Sequence, residues 1–129
     1  MAQAATIGEF DYVLKADRDA PQEERTVFRL RTLSYEETES VTQAARLGED
    51  GINLGSMMMS ARRALNFGLL GWENFRTPEG EEVQFSASGK GLRRRLSERT
   101  LTALRHHAIE LTEAITNGSE LSEEDEKNS

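Results

Sequence analysis

The chain has 129 residues and carries 23 acidic against 16 basic side chains, for a formal net charge of −7. That length suits one domain with a modest core, and the charge argues against nonspecific nucleic-acid binding by the chain as a whole. The absence of cysteine excludes disulfides, thiolate zinc sites and cysteine nucleophiles, and no apolar run approaches the about 20 residues that span a bilayer.

Met1 to Thr6 lack the basic start and apolar centre of a signal peptide, so folding in the cytoplasm is expected. Residues 1–9 read as a flexible N-terminal arm. Phe10, Tyr12 and Leu14 then alternate with Asp11, Val13 and Lys15, the period of a strand. Residues 17–24 read as a charged loop. Thr26 to Leu33 predicts a second strand, with Phe28 and Leu30 on one side and Arg29 and Arg31 on the other. Ser34-Tyr35-Glu36-Glu37 has the spacing of a capping box, because a serine oxygen takes the third helical N–H while the glutamate reaches back to the serine N–H. A helix is therefore expected from Tyr35, with Tyr35, Val41, Ala44, Ala45 and Leu47 inward and Gly48 as its stop. A turn follows at 49–51.

A second helix is expected over 54–66. Met58, Ala61 and Leu65 share a face, flanked by Met57 and Ala64, and Arg62, Arg63 and Asn66 point elsewhere. Three consecutive methionines cannot share one helix face, so at least one lies exposed or at an edge. Met57 and Met59 are thus contact candidates, because methionine suits adaptable binding surfaces; core filling with one spare methionine is the plainer alternative.

The stretch from Gly68 to Phe85 holds the only tryptophan and two of the five phenylalanines. It reads as a helix end at Gly68, a residue that tolerates the left-handed cap position, followed by a hairpin over 72–85. Pro78 presets the turn and Gly80 accepts a positive φ. Trp72, Phe75, Val83 and Phe85 are expected to be core; the alternative makes Trp72 and Phe75 exposed anchors for a partner.

Ser86 to Gly91 reads as a flexible linker. It leads into Lys90, Arg93, Arg94, Arg95, Arg99 and Arg105, opposed only by Glu98. This patch, with Arg93, Arg94, Arg95 and Arg99 as its contact candidates, has three readings: phosphate contacts, an acidic protein surface including the chain's own tail or a neighbour's, or a solvated face of small energetic worth. Ser97 predicts a helix cap, and Leu101, Leu104, Ala108, Leu111 and Ile115 step by three and four along what should be the longest helix, stopping at Asn117-Gly118. The seam either docks on the domain or pairs with a copy or partner helix. Residues 119–129 carry five acidic side chains and one lysine, a composition expected to stay disordered when alone.

These elements predict an α+β chain: a small antiparallel sheet built from the N-terminal strands and the 72–85 hairpin, with about three helices. The expected organisation is an arm at 1–9, a single domain at 10–118 and an acidic tail at 119–129. No catalytic, cofactor or metal residue emerges. His106 and His107 are adjacent rather than four apart, so they share no metal-binding face. The Asp17/Asp19 and Glu49/Asp50 pairs lack the remaining spacing of a calcium loop, and Gly89-Lys90-Gly91 lacks that of a phosphate loop. The expectation is a protein without enzymatic activity and without a cofactor.

Gly71-Trp72-Glu73-Asn74-Phe75 followed by Gly80, Val83 and Phe85 resembles a Gly-Trp-x-Asn-Phe…Gly…Val-x-Phe pattern in small proteins from the structural gene modules of tailed bacteriophages. The stretches Thr26 to Glu37 and Leu121 to Asn128 are similar in character. The resemblance implies a phage morphogenesis protein, a virion component near the head–tail or tail region, or else a tail-assembly chaperone absent from the mature particle. An accessory nucleic-acid-binding protein using 90–105 is the alternative outside that class. The resemblance implies other phage structural or assembly proteins as partners, with homo-oligomers compatible; the charge and the lack of an apolar span leave nucleic acid unexpected as a partner and exclude a membrane. It places the chain in the host cytoplasm during assembly and in the virion if structural. It transfers no catalytic or ligand residue.

Overall fold

In the computed structural model, residues 2, 4, 7–46 and 53–118 are described. The expected stop at Gly48, the turn at 49–51, the inward Leu47 and the acidic tail at 119–129 lie outside them.

Two N-terminal strands and one that follows the second helix build a three-stranded antiparallel sheet in the order β1 (Glu9–Tyr12), β2 (Val27–Arg31), β3 (Leu69–Glu73). The register pairs Tyr12 with Phe28 and Phe28 with Trp72, so three aromatic residues lie in one row across the sheet. A register shift between Arg29 and Leu30 brings Leu30 opposite Leu69. The alternation in β2 holds: Phe28 and Leu30 are fully buried, whereas Arg29 faces solvent and bridges Glu9 and Asp11. These exposed pairs add little stability. Gly8, inside the expected arm, exchanges backbone and side-chain hydrogen bonds with Thr32. The charged loop between β1 and β2 contains two short 3-10 turns, Lys15–Asp17 and Gln22–Glu24.

Helix α1 (Tyr35–Arg46) starts on the expected capping box, with the Glu37 N–H donating to Ser34 Oγ at 3.2 Å and the Ser34 N–H donating to Glu37 Oε1 at 2.8 Å. Its inner face differs from expectation. Tyr35 is 81% exposed, and the buried residues are Glu37 and Ala44. Glu37 is drawn inward by Arg31, which donates to it through both guanidinium nitrogens, so the first turn is anchored by charge instead of by the tyrosine ring.

Helix α2 (Leu54–Gly68), with 15 residues, is the longest helix among the described residues, in place of the expected C-terminal one, and is capped by reciprocal bonds between Asn53 and Ser56. It supplies Ala61, Ala64, Leu65 and Phe67 to the interior. Asn66 does not point outward as expected. It is buried, and its side-chain oxygen accepts the Leu96 N–H at 2.9 Å. Gly68 remains helical and is not among the glycines with positive φ.

The expected single C-terminal helix is two helices, α3 (Glu98–Ala103) and α4 (Ala108–Asn117). Between them Leu104, Arg105 and His107 donate to carbonyls three residues back, a tightened turn in a stretch where Thr102, His106 and His107 favour helix weakly. The seam is nonetheless buried through Leu104, Ala108, Leu111 and Ile115. Ser97 caps α3, accepting from the Thr100 N–H at 3.1 Å, and Gly118 ends α4 with φ of 63°.

The expected linker is structured. Strand β4 (Ala87–Ser88) pairs with β5 (Arg95–Leu96). Gly89 turns between them with φ of 81°, where an added Cβ would stand 2.5 Å from the Arg93 carbonyl oxygen. Among the described residues the fold is α+β: four helices and two small antiparallel sheets.

Candidate protein-interaction surface

Trp72 and Phe75 belong to the interior. Phe75 is buried, and Trp72 is half-buried against the core cluster. Phe28, Trp72, Phe75 and Phe85 meet edge to face, with Trp72–Phe75 and Trp72–Phe85 centroids 4.9 and 5.2 Å apart. The indole N–H donates to the Val83 carbonyl at 2.8 Å, which ties the loop after β3 back onto the sheet. That loop turns at Thr77-Pro78-Glu79-Gly80, where the Gly80 N–H donates to the Thr77 carbonyl and Gly80 has φ of 88°. The turn is flanked by a single Arg76–Glu82 bridge. Asn74 also takes a positive φ, 58°, which asparagine tolerates. Its amide donates toward the Glu23 and Arg25 carbonyls. With these partners, the two aromatic contact candidates serve packing. Trp72→Phe is expected to lower stability by about 1.5 kcal/mol, the net worth of one hydrogen bond plus some lost apolar contact; urea unfolding followed by circular dichroism measures it.

The basic run divides. Arg93, Arg95 and Arg99 are exposed. Arg94 turns inward and donates to the Asn66 and Leu69 carbonyls at 2.9 and 2.6 Å, where it closes the end of α2. Burial holds its guanidinium below the ordinary value, and Arg31 adds to that lowering while Glu37 opposes it. Arg94, expected as a contact residue, thus spends its guanidinium on the fold. Its sequence neighbours differ from it only in where the backbone aims them.

The methionines are the larger correction. All three stand out of the core: Met57, Met58 and Met59 are 39, 44 and 45% exposed. Met58, expected inside, and Met59 line a groove of about 320 Å³ between α2 and the α3–α4 turn. Ala61, Leu65, Leu101 and Ala108 form its apolar floor, and Arg62, Arg105 and Glu98 stand at its edge. Arg62 pairs with Glu98 across the groove at 3.1 Å, with both side chains largely exposed. The break between α3 and α4 gives the groove its wall, because the turn carries Arg105. Met57 lies outside the lining residues. Of the two rim arginines, Arg105 belongs to the basic run that the sequence marks, whereas Arg62 is expected only to point away from the inner face of its helix, and nothing in the sequence sets it beside that run.

Two other concavities are present among the described residues. One, about 410 Å³, sits beside Asp17, Glu24, Asn74, Arg76, His107 and Glu110. Its polar groups largely serve the fold: Glu110 accepts from Tyr12 Oη at 2.7 Å and from the Lys15 N–H at 2.9 Å, Arg76 donates to Asn74, and the His107 ring packs on Phe75. The other, about 760 Å³, lies between α1 and the end of α4 and includes Ile7, Tyr35 and Val41. Among the described residues, no group of three His, Cys, Asp or Glu side chains is placed to hold a metal ion, and no helix is long and apolar enough to cross a membrane. Comparison with protein-family models, with curated proteins and with solved structures finds no match.

Proposed function

We propose that the chain is a non-enzymatic morphogenesis protein of a tailed bacteriophage, a virion component of the head–tail or tail region, and that it works through protein–protein contacts at the methionine groove. The setting rests on the resemblance of the Gly71–Phe85 stretch. The mode of action rests on one observation: consecutive methionines held out of the core on a well-packed helix, beside an apolar floor and two arginines. Keeping such side chains in water forfeits burial worth roughly 1.5 kcal/mol or more for each fully covered methionine. A partner that covers them recovers it, and flexible thioethers adjust to the partner's shape.

The same adaptability favours a second reading, a tail-assembly chaperone that binds and leaves. Mass spectrometry of purified particles separates the two. The structural role is expected to leave the chain in mature particles at a fixed ratio to a tail or connector protein. Its absence from particles that need it for assembly transfers the role to the chaperone. In either case Met58→Glu with Met59→Glu is expected to cut particle yield while leaving the folded chain intact; normal yield from that variant overturns the proposal.

A further inference from the structure

We infer that the methionine groove receives the C-terminal segment, residues 119–129, of a second copy of this chain. The inference rests on the groove being a protein-binding surface, and it names the occupant.

Charge is the first argument. The segment Ser119-Glu-Leu-Ser-Glu-Glu-Asp-Glu-Lys-Asn-Ser129 carries five carboxylates, one lysine and one large apolar side chain, Leu121. The groove offers an apolar floor for such an anchor, with Arg62 and Arg105 at its edge; Arg62 is paired with Glu98, the one acidic residue of the lining, so the rim keeps a net positive charge. A carboxylate-rich segment meets here a net positive rim beside apolar surface, the arrangement that gives both encounter rate and register.

Reach decides between the chain's own segment and a neighbour's. Helix α4 runs alongside α2 in the same direction: Ala108 shares the groove with Ala61 and Leu65, and Ile115 packs against Gly68. Gly118 lies beyond that end, against Thr32. The near end of the groove, at Ala108, is therefore 10 residues behind Gly118 along α4, or roughly 15 Å at about 1.5 Å per residue, and Met58 and Arg105 lie farther still. Leu121 follows Gly118 by three residues and reaches at most about 10 Å from it when fully extended. The Leu121 backbone falls short of even the near end of its own groove by about a third of the distance. A second copy has no such tether, so the contact forms between molecules, and every copy presents both a groove and a segment.

The test uses the full chain. Sedimentation velocity from low micromolar to about 100 µM, a range that brackets the weak end of protein interfaces, is expected to show concentration-dependent self-association that weakens as salt rises. Met58→Glu closes the groove with a like charge, and Leu121→Asp removes the anchor without touching the described packing. Each variant alone is expected to lose self-association while keeping the wild-type circular dichroism spectrum. Mixed together they are expected to regain association, because the groove variant supplies an intact segment and the segment variant an intact groove. A monomeric wild-type chain overturns the inference, and so does a mixture that stays monomeric. Particle incorporation distinguishes this failure from failure of the functional reading. If Met58→Glu loses incorporation while Leu121→Asp keeps it, the groove holds a different protein, which overturns the homotypic occupant and leaves the proposed function standing.

Discussion

Glu37→Ala is expected to lower stability by about 3 kcal/mol, the range found when one partner of a buried ion pair is removed. Glu37 is 4% exposed and takes both guanidinium nitrogens of Arg31, one at 3.0 Å, together with the Ser34 N–H. It therefore joins β2 to the first turn of α1. Its removal strands the Arg31 guanidinium, itself mostly covered, within the field of a second inward arginine, Arg94. The capping box loses one of its two bonds in the same step, worth about 1 kcal/mol. Urea unfolding at neutral pH measures the total, and a loss below about 1 kcal/mol, the worth of an exposed pair, refutes the buried assignment. Adding Arg31→Met is expected to recover much of the loss, since the cost lies in the unpaired cation more than in the missing attraction.

The pH dependence has a definite sign. Burial pushes the Glu37 carboxyl up, but the Arg31 and Ser34 hydrogen bonds and the Arg31 charge outweigh it and hold the group below its ordinary value of 4.5. A carboxyl lowered by folding contributes stability that is fully present above its unfolded value and is lost as pH falls through the folded one. The gap between wild type and Glu37→Gln is therefore expected to be constant at neutral pH and to narrow once pH drops below 4.5. A gap that instead widens with acid contradicts the pairing.

What the sequence made legible is what residues within four positions of one another decide. The alternation of Phe28 and Leu30, the Ser34–Glu37 capping box, the Ser97 cap and the Pro78–Gly80 turn are all present. Each rests on a local hydrogen bond or a preferred φ that needs no distant partner. The misplaced residues are those whose surroundings come from far along the chain. Asn66 is polar and belongs on a surface by type, yet it serves the backbone of Leu96, 30 residues later. Arg94 is one of three consecutive arginines and is distinguished only by the carbonyls of Asn66 and Leu69 that it meets. Tyr35 and the methionines are apolar enough for the core, but charge occupies the inner place at the start of α1, and the α3–α4 turn stops short of covering Met58 and Met59. The methionine surface follows from that break in the C-terminal seam, which spacing by three and four does not reveal.

Gly68→Val is expected to destabilise by about 3 kcal/mol, and the reason differs from the one its position suggests. A glycine at a helix end ordinarily relieves a left-handed cap, but Gly68 is helical and α2 gives way directly to β3 at Leu69. What glycine provides here is closeness: an added Cβ would lie 2.6 Å from Cγ2 and 2.9 Å from Cδ1 of Ile115, a side chain that is itself fully packed. Overfilling such a contact costs about 1–3 kcal/mol. Even alanine, favoured over glycine by about 1 kcal/mol in a helix interior, is expected to come out destabilising. The decisive measurement is a double-mutant cycle. Ile115→Ala alone opens a cavity and should cost about 2–5 kcal/mol, yet combined with Gly68→Val it is expected to cost at least about 1 kcal/mol less than the sum, because the new methyls fill the space the isoleucine leaves. Simple additivity would mean that Gly68 is there for its backbone freedom, and the parallel docking of α4 on α2, which fixes how far Gly118 lies from the groove, would lose the close approach at Ile115.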